Sequence, residues 1–172
     1  NSNWPVRGQK RTLWEGGIRM PACVCWPGHV PAGMVSNEII DMIDLFPTFL
    51  AAAGAEPNPA WKVDGVNELP TFEGKAPAPK RILYWHWNEV GNRQFAAMDG
   101  RFKLIDSSNN VPQLYDVVAD PVERMDIRQL FPAEVKKLTA DLKAWYATES
   151  PAARQKHPTP DDAPHPIAID DE

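Results

Sequence analysis

The stretch Arg7-Gly8-Gln9-Lys10-Arg11-Thr12-Leu13-Trp14-Glu15-Gly16-Gly17-Ile18-Arg19-Met20-Pro21 decides how this chain is read. A glycine pair lets the backbone take positive φ and pass close to another group. Lys10, just ahead of it, is therefore placed on a sharply shaped loop rather than on a helix face. An apolar run between prolines follows, Pro21-Ala22-Cys23-Val24-Cys25-Trp26-Pro27. Its composition predicts a strand buried on both faces, as in a parallel sheet covered by helices. Cys23 and Cys25 would face the same side of that strand as small buried hydrophobes.

Working outward, Gly28 to Gly33 reads as a turn and Asp44 to Ala53 as a helix. Asp44 would cap it, Pro47 suits its first turn, and Gly54 supplies the left-handed stop. Leu45, Phe49 and Ala53 would share its inner face. Glu56 to Lys80 is proline-rich and reads as a long connection. The period then changes to two. Residues 81–87, 93–98, 101–105 and 113–116 are four strand candidates, and Asp99-Gly100 is a hairpin signal between the second and third. Val135, Leu138, Leu142 and Trp145 form one stripe of a final helix that starts near Pro132. That helix is expected to cover one face of a small antiparallel sheet. Beyond Ser150 the chain turns to Pro, His and acidic residues and reads as a disordered tail.

With 172 residues and 43% hydrophobic content, the chain can bury a core of its own. A formal charge of −5 argues against nucleic acid as a partner, since phosphate needs a basic face. No apolar run approaches the ~20 residues that span a membrane. The first residues carry no apolar signal region and no initiator Met, so the chain reads as an excerpt of a longer one.

The opening stretch resembles the sulfatase family, in which G-x-K-x-T-x-W/Y-E-G-G-x-R-x-P carries the lysine that holds the sulfate ester. The likeness continues in family order through Trp26-Pro27-Gly28, Ala32-Gly33, Ser36-Asn37-Glu38, the segment 42–48, Asp64-Gly65-Val66, the segment 99–104 and the segment 114–121. It covers roughly residues 4 to 147. The resemblance implies an α/β fold: the end of an alkaline-phosphatase-like sandwich, then a four-stranded antiparallel sheet with a packed helix. Residues 1–80 would end the large domain, 81–148 would form the small subdomain, and 149–172 the tail.

Sulfate-ester hydrolysis needs a nucleophile at sulfur, cations facing the non-bridging oxygens, and a proton source for the departing alcohol. The resemblance implies a formylglycine nucleophile made within C-x-P-S-R and a calcium ion held by Asp and Asn. Cys25-Trp26-Pro27 matches C-x-P, but Gly28 and His29 follow where Ser and Arg are needed, so Cys25 is rejected as its precursor. The calcium ligands are likewise expected outside this chain.

Lys10 matches the family's sulfate-binding lysine, flanked by Gln9 and Arg11 where small residues, often glycine, are usual. His86, Asn92 and Arg93 match positions that could line the rim of the substrate pocket. Glu15 and Arg19 read as a loop-bracing ion pair, and Asp120-Pro121 with Glu123 as a turn. The expected partners are a sulfate-ester substrate, aryl or sugar, and the missing N-terminal part of the same protein. Localisation follows only from the resemblance, as secreted or periplasmic. Two other readings remain open: a phosphodiester or phosphonate hydrolase on the same scaffold, and a non-catalytic module. Alone, the chain is expected to be inactive.

Overall fold

A computed structural model describes residues 3–89, 92–107 and 111–148. The expected tail from 149 and Gly91 lie outside the described residues. The rest divides into two compact units, one formed by the first 20 residues together with the chain from Ile82, the other by Pro21–Arg81.

The first unit is built on an antiparallel meander, in the order β1 (Leu83–Glu89), β2 (Asn92–Met98), β3 (Phe102–Ser107) and β4 (Gln113–Asp116). All four strands fall where the period of two placed them. The β2–β3 turn is centred one residue later than expected. Asp99 N–H donates to the Phe102 carbonyl at 3.1 Å, leaving Gly100 and Arg101 at the bend. Gly100 takes φ +96°, and the Asp99 carboxylate accepts the N–H groups of Arg101 and Phe102.

Alternation divides the sheet into two buried faces. Phe95, Ala97, Phe102, Leu104 and Leu114 meet Leu138 and Leu142 of the long helix, Pro132–Thr148. Val135 and Trp145 pack at its margin, so the expected stripe is the contact stripe. The opposite face carries Leu83, Ala96, Met98, Ile105 and Tyr115. It is covered by Leu13, Trp14 and Ile18 of the N-terminal loop. That loop contains a one-turn helix, α1 (Glu15–Ile18), where only loop was expected.

The second unit holds a 3₁₀ turn, Met42–Asp44, leading into α2 (Leu45–Ala52), and then α3 (Leu69–Phe72). With α1 to α3 so assigned, the long helix is α4. Gly54 ends α2 at φ +72°, as expected. The cap differs: Asp41 caps the 3₁₀ turn, freeing the Asp44 carboxylate to accept the Asp41 and Val66 N–H groups and to pair with Arg81. Thr48, Glu68 and Thr71 continue this buried polar network. The inner face expected of α2 is also revised. Pro47 and Thr48 are buried, whereas Phe49 is 63% exposed. A groove of about 460 Å³ is lined by Ile43, Phe46, Trp61, Lys62 and Asp64.

Pro21 to Pro27 is not a strand among the described residues. It runs irregularly, and Cys23 and Cys25 are exposed rather than buried. The physical reason is pairing: a strand needs neighbours for its N–H and C=O groups, and the only sheet described is the meander.

Candidate functional site

Lys10 stands in a tight turn, Gln9-Lys10-Arg11-Thr12. Thr12 closes it twice, its N–H and its hydroxyl both donating to the Gln9 carbonyl, at 3.0 and 2.7 Å. Gln9 N–H returns a bond to Thr12 Oγ1 at 3.1 Å. Arg11 holds φ +76°, the left-handed region that a turn of this kind demands at its third residue. Glycine meets that demand without strain, which is the physical sense of finding small residues beside this lysine. The Arg11 side chain turns to Glu89, 3.2 Å away. Lys10 is exposed and forms no ion pair among the described residues.

The base of the loop is fixed by close backbone passage. Gly16 N–H donates to the Arg7 carbonyl at 2.6 Å, joining the two arms. A Cβ on Gly16 would lie 2.5 Å from that oxygen, and one on Gly17 would lie 1.9 Å from the Thr12 carbonyl. Crowding is thus the reason for the glycine pair. The expectation of positive φ fails, because both glycines lie in α1. Leu13 N–H donates to Gln94 Oε1 at 2.9 Å, tying the loop to β2. The Arg7 guanidinium lies over the Trp14 ring at 4.6 Å and donates to the Tyr115 hydroxyl at 2.7 Å.

Beneath the loop lies a buried ion cluster. Lys103 is fully buried in β3, with Nζ 2.8 Å from Glu15 Oε1 and 2.9 Å from Glu123 Oε1. Glu123 Oε2 also accepts the Glu15 N–H at 2.6 Å. Burial pushes the Glu123 carboxyl up, and the Lys103 ammonium opposes that. The expected Glu15–Arg19 pair is present at 3.6 Å, as the outer edge of this cluster. Glu123 is therefore not simply part of a turn. Sequence reasoning missed both it and Lys103. The available signal was a cation inside Phe102-Lys103-Leu104-Ile105, the first part of β3, where the three residues around it are apolar.

His86 lies on the other face of the sheet, stacked on Phe95 at 4.3 Å and edge-on to Tyr146 at 5.5 Å. Burial, aided by the Arg93 cation, lowers its pKa to about 4. Arg93 is half-buried in β2 and shares the face of Phe95. Asn92 opens β2, and its side chain lies outside the described residues. The structure therefore groups His86 with Arg93 on the helix side of the sheet, while the loop of Lys10 meets the same β1–β2 hairpin from the other side, at Glu89 and Gln94. On the same face, Asp106 is 1% exposed, neither carboxylate oxygen has a hydrogen-bond partner among the described residues, and burial pushes its pKa up to about 6.

Among the described residues, no three His, Cys, Asp or Glu side chains converge as metal ligands. No helix among the described residues is long and apolar enough to cross a membrane.

Residues 8–149 match the family model described as N-sulphoglucosamine sulphohydrolase, C-terminal. N-acetylgalactosamine-6-sulfatase of Sus scrofa is 40% identical over 102 residues, covering 59% of this chain and 19% of that protein. Arylsulfatase G of Rattus norvegicus is 39% identical over 89 residues, covering 52% and 17%. Among solved structures, Ps i-CgsB superposes with a TM-score of 0.78 at 28% identity, over 84% of this chain and 32% of that one. The chain thus spans under a fifth of the length of these curated relatives.

Proposed function

We propose, because the chain belongs to the N-sulphoglucosamine sulphohydrolase C-terminal family of sulfatases, that it is the C-terminal part of an enzyme hydrolysing sulfate esters. Its own contribution is Lys10. An ammonium held beside a sulfate monoester donates to non-bridging oxygens whose charge persists from ground state to transition state. The observation that carries this reading is the contrast within one loop. Its base is pinned by Leu13, Glu15 and Gly16, while the amine at its turn is exposed and without an ion-pair partner among the described residues.

The nucleophile, the proton source and the calcium ion of the family would come from sequence beyond this chain. Residues 1–80 would complete the large α/β domain and 81–148 the small subdomain. The lysine loop belongs to the first by chain order and to the second by its packing. Arg93 and Asn92 are proposed at the pocket rim. His86 is proposed at the same rim, held there by its ring contacts with Phe95 and Tyr146.

For substrate we propose a sulfated sugar. Relatives named N-acetylgalactosamine-6-sulfatase support this, as does a similar protein solved with its substrate D-glucosamine-2-N,6-O-disulfate. Lys10→Ala in the full-length protein is expected to lower kcat/KM for a sugar sulfate by about a hundredfold or more. Lys10→Arg, which keeps the charge and changes the reach, should recover part of it. Near-normal turnover by Lys10→Ala would overturn the assignment.

A further inference from the structure

We propose that Glu123 and Lys103 are positioning residues, which set the sulfate-facing turn by fastening its backbone to the sheet. The proposal rests on the reading of Lys10 as the sulfate contact.

The argument starts from cost. A fully buried lysine loses its hydration, and well-packed apolar side chains of the same volume often leave a fold as stable or more so. Lys103 is flanked by Phe102 and Leu104 and shares its face with Met98, Ile105 and Tyr115, so the face could have been filled that way. What an ion set adds over hydrocarbon is direction, because each bond holds only over a narrow range of distance and angle.

That direction reaches the loop itself. Glu123 uses its two oxygens on two targets: Oε1 pairs by charge with Lys103 Nζ, and Oε2 accepts a hydrogen bond from the backbone N–H of Glu15. The second bond holds main chain, not a rotatable side chain. Glu15 returns its own carboxylate to Lys103, closing a three-cornered set. The neighbouring Gly16 N–H then carries the constraint to Arg7, across the base of the turn. Between those arms lies the Gln9–Thr12 turn with Lys10 on it. Charge balances across the cluster: two carboxylates face Lys103 inside and Arg19 at the rim.

Glu123 is itself held in an uncommon conformation. Its φ is +56°, which strains a residue with a side chain. Its N–H donates to the Asp120 carbonyl at 3.0 Å, and Asp120 Oδ2 accepts the N–H groups of Arg124 and Met125. The strained turn delivers the carboxylate beneath α1, where an apolar residue would have nothing to grip.

The test is a double-mutant cycle in the full-length protein, using Lys10→Ala and Glu123→Gln on a sugar sulfate. Glu123→Gln alone is expected to lower kcat/KM by about tenfold or more, since small misplacements of a binding group carry large penalties. In the Lys10→Ala background the same change should have less than about a twofold effect, because the group it aims is gone. The fall in melting temperature should be equal in both backgrounds. Amide exchange across residues 13–18 should quicken in Glu123→Gln while α4 stays protected. Glu123→Asp, which keeps the charge with a shorter reach, should fall between; it also serves if Glu123→Gln does not accumulate.

Equal kinetic effects in the two backgrounds would overturn the positioning role and leave Lys10 standing. Unchanged exchange across residues 13–18 would overturn it too. An active Lys10→Ala would remove both.

Discussion

The two faces of the meander are buried to similar depth by different means. The face under α4 is closed mainly by hydrocarbon and aromatic contact, with Leu138 and Leu142 on Leu104 and Leu114 and Tyr84 stacked on Trp145 at 5.1 Å, although Asp106 is also buried in it and His86 half-buried. The face under the N-terminal loop has an apolar border but a charged centre, with Lys103, Glu15 and Glu123 at its middle and Gln94 at its side. Apolar contact is non-directional, so it fixes area more firmly than register. Charged hydrogen bonds do the reverse. The face that carries the proposed substrate-binding turn is the one fastened by directional bonds, while the helix face supplies bulk burial.

The largest effect should come from breaking the charged centre. Lys103→Met is expected to destabilise the protein by about 3–5 kcal/mol, since it strands two buried carboxylates. Urea unfolding checks this. A loss below about 1 kcal/mol would mean the loop face behaves like hydrocarbon, and the contrast would collapse.

The next effect belongs to the helix face and is read through pH. Native Asp106 titrates near 6 against an ordinary value of 3.8, so between these values the native state holds the extra proton and stability falls as pH rises. Native His86 titrates near 4 against 6.5, so there the unfolded state holds the extra proton and stability rises with pH. Between pH 4 and 6 the two slopes oppose each other. Asp106→Asn should uncover the histidine slope, about 2 kcal/mol of stability gained on raising the pH across that window. His86→Gln should uncover the opposite slope, of similar size. Taken as differences from the unchanged protein, which cancels the parts due to Glu68 and Glu123, also shifted upward, the two curves isolate the lost Asp106 and the lost His86 contribution respectively. Parallel curves for all three proteins would show that neither group is tuned by its burial.

The smallest effect sharpens the comparison at the turn. Arg11→Gly removes an exposed pair with Glu89, typically about 0.2–1 kcal/mol, and relieves a left-handed backbone that costs about 1–2 kcal/mol. A net gain of up to about 1 kcal/mol is expected in thermal unfolding. A loss larger than that would mean the Arg11 side chain matters more than its backbone.

Elements written in local pattern were legible. The α4 stripe needed only a period of 3.6, and the β2–β3 hairpin only an Asp-Gly step between two alternating runs. The family was legible because the motif around Lys10 is compact. Pairings over distance were not. Lys103 reaches Glu15 across 88 residues, and Glu15 reaches Glu123 across 108. No window of sequence holds both ends, so Glu123 read as one acid in a turn. Pro21 to Pro27 failed for the complementary reason. Its composition announces burial on both sides, but composition does not bring partners. The face expected of α2 failed as well, because Asp44, Thr48 and Glu68 form a polar interior that a hydrophobic stripe does not foresee.

The 108-residue separation between the Glu15 amide and its acceptor has a consequence for biosynthesis. At about 5–20 residues per second, the ribosome releases Glu123 on the order of ten seconds after the amide it will hold. Until then, the polypeptide around Lys10 has emerged without its fastening. A message that stops short of the codon for Glu123 would yield a product that never acquires it, however completely the preceding chain had folded.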